Sequence, residues 1–374
     1  MVSVNFQKLL KVGAHFLACL LMFTFCSLWV ALNAGKTAAA QKTTVPLLSG
    51  SHLNATVLIY HRFGEGTYPT TNVDVDRFKE QMDYLAANDY HVITLSRLSA
   101  ALREKQPLPE KSVVITIDDG YLSIYTEAWP ILRAHGYPFT VFLYVQALED
   151  GYRNFLTWKQ VREIQQAGVD FEDHGYSHHR MADRPAGMDD NAYRIWIRND
   201  LQKSNRVLTE ELGHRPPFLA IPYGEYNRIV IEEAKKAKYE AVFSQDPGAV
   251  SEATNPFCIP REPILGTDWS TMDHFTKVLN RVDLPLADMT PSIDPLTIET
   301  PSRFGARLLH PERYESASLG IYVSELGWRR PKRQGDFVYI ENSTPLHRRL
   351  NRVMISGREK AGGKTAVRFW LLMR

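Results

Sequence analysis

The sequence predicts an α/β fold, a (β/α) barrel of about seven strands. Three observations predict it. Over residues 55–286, short β-branched runs alternate with amphipathic runs at helical spacing, the order that gives parallel strands with helices packed outside them. About seven or eight such units over roughly 230 residues suit a barrel better than an open sheet. The residues best suited to chemistry, His61, Asp118-Asp119, His174 and Tyr223, each fall just after a predicted strand, and in such barrels chemistry gathers at strand C-terminal ends.

The elements follow in order. Val57-Leu58-Ile59-Tyr60 reads as a strand running into His61. Asp76 is placed as the cap of a helix through residue 85, in which Phe78, Met82 and Leu85 share a face. Residues 91–95 read as a strand, and Ser96 opens a helix. The β-branched run 113–117 is a buried strand, followed by a helix over 128–134 and a strand over 139–145. A helix over 158–167 is stopped by Gly168, and a short strand over 169–171 leads toward His174. A long helix spans 193–212, and a strand over 218–221 precedes Pro222-Tyr223-Gly224. A helix over 229–238 and a strand over 240–243 complete the series.

After residue 286 the alternation stops. Pro285, Pro291, Pro295 and Pro301 punctuate a connector. The runs 319–323, 336–340 and 366–373 then read as strands of a small C-terminal β-rich region over 287–374. Residues 303–374 hold 15 Lys and Arg against 6 Asp and Glu. That balance is a solvated accessory surface or a contact for an anionic envelope polymer or lipid surface.

Composition narrows the function classes. A chain of 374 residues allows one large or two modest domains. A net charge of +2 gives no electrostatic case for a nucleic-acid partner. Lys8 and Lys11 precede an uncharged apolar stretch over 16–32, and Ala38-Ala39-Ala40 follows. This is the order of a secretory signal, long enough to be read equally as an uncleaved inner-membrane anchor over 1–40. Residues 41–54 read as a linker. The bulk of the protein is therefore expected outside the cytoplasm, periplasmic or secreted. Cys19 and Cys26 lie in the leader, leaving Cys258 alone. Any metal must then be held by His and carboxylates.

The run Val113-Val114-Ile115-Thr116-Ile117-Asp118-Asp119-Gly120 ends a buried strand in two adjacent carboxylates. Such a pair repels and loses solvation, so it is a poor stabilising device. It suits one carboxylate on a metal with the other beside it as a base, or else an Asp capping the next helix with a solvated neighbour. The later segment Asp173-His174-Gly175-Tyr176-Ser177-His178-His179 places three histidines in six positions. His174 and His178, four apart, share one side if a helical turn follows the strand, and His179 is the rival to His178. With Asp119 they make a two-His, one-carboxylate set with positions open to water and substrate.

In this order, Thr116-Ile117-Asp118-Asp119-Gly120, the Asp173 to His178 segment, and Ala220-Ile221-Pro222-Tyr223-Gly224-Glu225 resemble the motifs of polysaccharide deacetylases, the NodB-homology group or carbohydrate esterase family 4. The resemblance implies a distorted (β/α) barrel that hydrolyses N-acetyl groups of aminosugars with one divalent metal, Zn foremost, with Co, Ni or Fe as alternatives. It implies Asp118 as general base, Asp119, His174 and His178 as metal ligands, and the Tyr223 backbone N–H as an oxyanion donor. The early Ile59-Tyr60-His61-Arg62-Phe63 resembles the circularly permuted subgroup that includes poly-β-1,6-N-acetylglucosamine deacetylases, which implies His61 as general acid. The family's third-motif Arg is absent, with Ala220-Ile221 in its place. Arg261 either supplies that guanidinium from another loop or makes an ordinary surface ion pair. The expected activity is N-deacetylation of an extracytoplasmic N-acetylated polysaccharide, poly-N-acetylglucosamine foremost. The competing readings are a catalytically weak polysaccharide-binding module and another single-metal hydrolase on the same barrel.

Overall fold

Six strands carry the expected parallel sheet: Asn54–Tyr60 (β1), Ser112–Asp119 (β2), Thr140–Leu143 (β3), Asp170–Asp173 (β4), Phe218–Ala220 (β5) and Ala241–Phe243 (β6). They lie side by side in chain order and in parallel, with Val250–Ser251 antiparallel along the start of β1. This computed structural model describes residues 53–294 and 298–374, so the leader expected over 1–40 and most of the 41–54 linker lie outside the described residues. Among the described residues, no helix is long and apolar enough to cross a membrane.

Alternate side chains of each strand meet different neighbours on the two faces of the sheet. On β2, Val113, Ile115 and Ile117 pack outward with Phe78, Met82, Leu85 and Leu132. Val114 points the other way, into an interior shared with Val57, Phe142, Ala220 and Phe243. The outer layer includes Val75–Ala87 (α1), Leu95–Glu104 (α2), Trp129–His135 (α3), Trp158–Gln166 (α4), Asp190–Leu212 (α5) and Arg228–Lys236 (α6). The result is a curled half-barrel rather than a regular closed barrel. Its open side is spanned by one irregular segment: Ile259 pairs with Phe243 of β6, and Glu262-Pro263 (β7) pair with Leu58 and Ile59 of β1.

Helix starts differ from the sequence reading in an instructive way. Asp74, not Asp76, caps α1, accepting from the backbone N–H groups of Asp76 and Arg77. Asp76 sits in the first turn, where its charge still favours the helix N-terminus. Thr94 caps α2, which therefore begins at Leu95, because the strand expected over 91–95 pairs only at His91 and Val92.

The C-terminal residues form two antiparallel sheets around a shared core that includes Phe304, Ile321, Ile340, Val353 and Trp370. Its longest ladder joins Leu350–Arg358 (β8) to Thr365–Met373 (β9). The boundary expected at 286 falls inside continuous packing: Val282 and Asp283 already pair with β9, and Leu371 and Met373 share an apolar cluster with Ile197 of α5 and Val230 of α6. The described residues accordingly fall in one compact unit.

A cavity of about 90 Å³ lies at this junction, where Tyr226, Asp246, Asp283 and Arg368 face apolar groups that include Leu286, Ile293 and Trp370. The Tyr226 hydroxyl donates to Asp246 Oδ2 at 2.6 Å, while Asp246 Oδ1 has no protein partner. Burial pushes the Asp246 carboxyl above its ordinary 3.8, against the opposing pull of Arg352 and Arg368. The unfolded chain thus ionises first, and stability falls as pH rises from 3.8 through the folded-state value. Asp246→Asn keeps an acceptor for Tyr226 and removes that dependence. Its melting temperature, relative to wild type, should therefore be higher at pH 7 than at pH 4, measured by calorimetry at both.

Candidate active site

Strand register brings the chemistry together. Tyr60 pairs with Ile117, so His61 stands level with Asp118 one step on. Asp119 pairs with Leu143, and Leu143 with Asp173, so His174 emerges at the same rim. Adjacent residues of a strand face opposite sides, so two neighbouring carboxylates would ordinarily part. Here the strand ends at Asp119 with φ 74°, and Gly120 follows at φ 83°, turning the chain over the barrel mouth. Gly120 suits this turn because side chains rarely adopt its positive φ, and a Cβ there would also press on Leu143 Cδ2 at 2.8 Å.

Asp119 Oδ1 lies 3.3 Å from His174 Nε2 and 3.0 Å from His178 Nε2. One ligand atom from each of the three residues falls within 4.8 Å of the others. His174 Nδ1 donates to the Ala220 carbonyl at 2.7 Å, which fixes the tautomer and aims Nε2 at the site. His178, not His179, completes the set. His179 is exposed and stacks on Trp196 with ring centroids 5.4 Å apart. The helical turn that would put positions 174 and 178 on one side does not form. The segment is an irregular loop with His178 at φ 52°, held because Asp200 Oδ2 and Oδ1 accept from Tyr176 and Ser177 N–H at 2.9 and 3.0 Å. Asp173 anchors its start, accepting from Gly175 N–H at 2.7 Å and Ser204 Oγ at 2.6 Å.

Asp118 faces inward, with no exposed side-chain surface. Arg261 meets it with both prongs, Nη1 to Oδ1 at 2.7 Å and Nη2 to Oδ2 at 2.8 Å. The guanidinium is itself fixed by Nε donating to the Ser244 carbonyl at 2.8 Å and Nη1 to Thr116 Oγ1 at 3.2 Å. The surface-pair alternative for Arg261 does not hold, because its side chain is fully buried. It arrives on the segment that spans the open side of the sheet. His61 is buried with Nδ1 unpartnered. Tyr223, at φ 60°, borders the triad, its ring centroid 4.7 Å from that of His178. The neighbouring Gly224 is required by close approach, since a Cβ there would sit 2.4 Å from the Gln245 backbone nitrogen.

The charges favour a cation beside Asp119. Burial alone would raise Asp119, but contacts from His174 and His178 hold it well below the usual carboxylate range. Burial alone would also raise Asp118, and Arg261 followed by His174 reverses that to a net lowering. Burial would lower His174, yet Asp118 and Asp119 raise it. Burial lowers His61 against the pull of the same two acids. Asp119 Oδ1 and His174 Nε2 are buried and make no hydrogen bond. Two converging lone-pair atoms left in this way, beside a third on His178, fit a divalent metal of the two-His, one-carboxylate kind.

Sequence reasoning missed three groups. Arg62 is sandwiched between the rings of Tyr68 and Tyr121, 3.8 and 3.4 Å from their centroids. Asp173 carried a signal, a carboxylate next to a ligand histidine. Asp200 carried none, since one more acid on a long helix is unremarkable.

Residues 105–242 match the polysaccharide deacetylase family. The chain is similar to the poly-β-1,6-N-acetyl-D-glucosamine N-deacetylase of Escherichia coli strain K12, 32% identical over 224 residues, 51% of this chain and 33% of that protein. The chain thus matches about a third of that relative's length. It is also similar to the enzyme of the same name from Staphylococcus aureus strain MRSA252, 29% identical over 216 residues, 57% of this chain and 72% of that protein. The fold is shared with the Streptococcus pyogenes deacetylase PplD, solved in complex with acetate, at a TM-score of 0.54 and 22% identity, covering 61% of this chain and 99% of that one.

Removing one partner of the Asp118–Arg261 pair leaves an uncompensated buried charge. Arg261→Met should cost about 3–5 kcal/mol of stability by chemical denaturation. The double variant Arg261→Met, Asp118→Leu should recover most of that loss, since it removes both charges together.

Proposed function

We propose that this chain is a metal-dependent N-deacetylase of an N-acetylated polysaccharide, with poly-N-acetylglucosamine as the favoured substrate and zinc as the favoured metal. The observation that carries the reading is the juxtaposition of the Asp119, His174 and His178 ligand set with an Arg261-clamped Asp118. The names of the relatives support the substrate class. The basic and apolar N-terminal sequence supports action outside the cytoplasm, with residues 1–40 as a signal or an inner-membrane anchor.

A divalent cation on Asp119, His174 and His178 supplies Lewis-acid polarisation of the amide carbonyl and acidifies water at the site. Asp118, held ionised by Arg261, takes the proton of the attacking water. The bidentate clamp also stops the carboxylate from rotating into the ligand set, which keeps base and ligand distinct. The Tyr223 backbone N–H, on a left-handed turn whose next residue, Gly224, packs closely against Gln245, donates to the developing oxyanion. His61, from the neighbouring strand end, gives a proton to the leaving nitrogen. The C–N bond breaks, a C–O bond has formed, and acetate and a free amine leave.

The test is acetate release by the full chain across defined β-1,6, β-1,4 and peptidoglycan-derived N-acetylated oligosaccharides. Release should be greatest on β-1,6 N-acetylglucosamine oligomers, stop on chelation and return with Zn²⁺. Asp118→Asn should lower kcat by roughly 10²–10⁴-fold while metal content is kept. A folded, metal-replete sample that releases none from any member of the panel contradicts the reading.

A further inference from the structure

The active-site loops are tied to the C-terminal sheets through one carboxylate. Glu225 lies two residues after Tyr223, and its side chain is only 6% exposed. It is gripped from two directions. Arg180, two residues after His178, donates to Glu225 Oε1. Arg349, immediately before β8, reaches in with Nη2 2.8 Å from both Oε1 and Oε2. Arg349 Nη1 lies 3.7 Å from Asp183 Oδ2, on the same loop as Arg180. The Arg180 guanidinium carbon also lies over the Tyr223 ring, 3.8 Å from its centroid. Beneath this cluster Leu350, Leu371 and Met373 pack with Met181, Ile221 and Tyr226, which flank the two loops.

We infer that Arg349 is a positioning residue: the C-terminal β region holds the Tyr223 loop in register with the metal-ligand loop through the Arg349–Glu225–Arg180 link. The physical reason is competition for one cation. A carboxylate this buried needs strong donors. With Arg349 in place, Glu225 is satisfied from the outer side, and Arg180 can cover Tyr223 while touching Oε1. Without Arg349, Glu225 draws Arg180 toward both of its oxygens and off the ring. The Tyr223 peptide then loses the support that fixes its left-handed backbone, while the Asp119, His174 and His178 set keeps its own anchors at Asp173, Asp200 and the Ala220 carbonyl. The region after 286 is, on this inference, part of the catalytic frame.

The inference rests on the deacetylase reading for its kinetic consequence but not for its structural one, so two readouts are taken on the full chain. For Arg349→Gln, kcat for acetate release should fall about ten- to a hundredfold with KM within about twofold. Zn²⁺ affinity should be unchanged. Amide hydrogen exchange over residues 221–227 should quicken while the melting temperature holds. Arg349→Lys, which keeps the charge but loses the fork, should fall between Arg349→Gln and wild type in both readouts. Arg333→Gln, at an exposed arginine of the same region, should match wild type. Faster exchange at 221–227 in a protein that releases no acetate even as wild type would sink the deacetylase reading and leave the link standing. Wild-type kcat and exchange in Arg349→Gln overturns the inference, as does a loss that merely tracks a lowered melting temperature in both Arg349 variants.

Discussion

Asp118 sits without exposed surface in the interior of a curled parallel sheet, beside a second carboxylate, and its two-pronged ion pair with Arg261 is what makes that position tolerable. Burying a lone carboxylate costs several kcal/mol even after local relaxation. A guanidinium that meets both oxygens, and whose remaining donors go to Ser244 and Thr116, offsets much of that cost and fixes the carboxylate plane. The chain that delivers Arg261 is also the chain that spans the open side of the sheet. Closure of the half-barrel and definition of the base are thus one structural event.

The rest of the site divides the labour by backbone conformation. Asp118 is still in the strand and points inward, whereas Asp119 turns outward over the mouth in a left-handed conformation next to Gly120 at φ 83°. Two identical side chains in succession acquire different charges to face: a guanidinium for the first, imidazoles for the second. His178 and Tyr223 share the left-handed backbone region with Asp119. Three strained non-glycine residues at one rim mark a place where surrounding contacts hold the chain away from its relaxed form. Those contacts come from Asp173, Asp200 and Glu225, carboxylates that accept from backbone N–H groups or from arginines rather than acting in the reaction.

Much of this was legible in the sequence because it is local. A β-branched run ending in two acids and a glycine encodes both strand and turn, and a histidine directly after a strand must appear at the strand's end. What escaped was non-local or depended on a contest between neighbours. Asp74 and Asp76 compete for one helix cap, and the outcome turns on where α1 begins. The loop carrying His178 lacks helical geometry because Asp200, on α5, captures its N–H groups. The role of Arg261 was one of two open alternatives, since nothing in residues 259–263 tells that they close a sheet. The packing of Leu371 and Met373 against α5 and α6 is equally invisible from an alternating run that reads as an ordinary strand.

On the proposed mechanism, Asp119, His174 and His178 hold one divalent cation while Asp118, clamped by Arg261, stays off it. The direct measurement is anomalous X-ray scattering at the zinc edge from crystals of the metal-replete protein. The account predicts a single peak per chain, within bonding distance of Asp119, His174 Nε2 and His178 Nε2, with both Arg261–Asp118 contacts intact. No peak at this position, or a metal bound by Asp118 with Arg261 released, would contradict it.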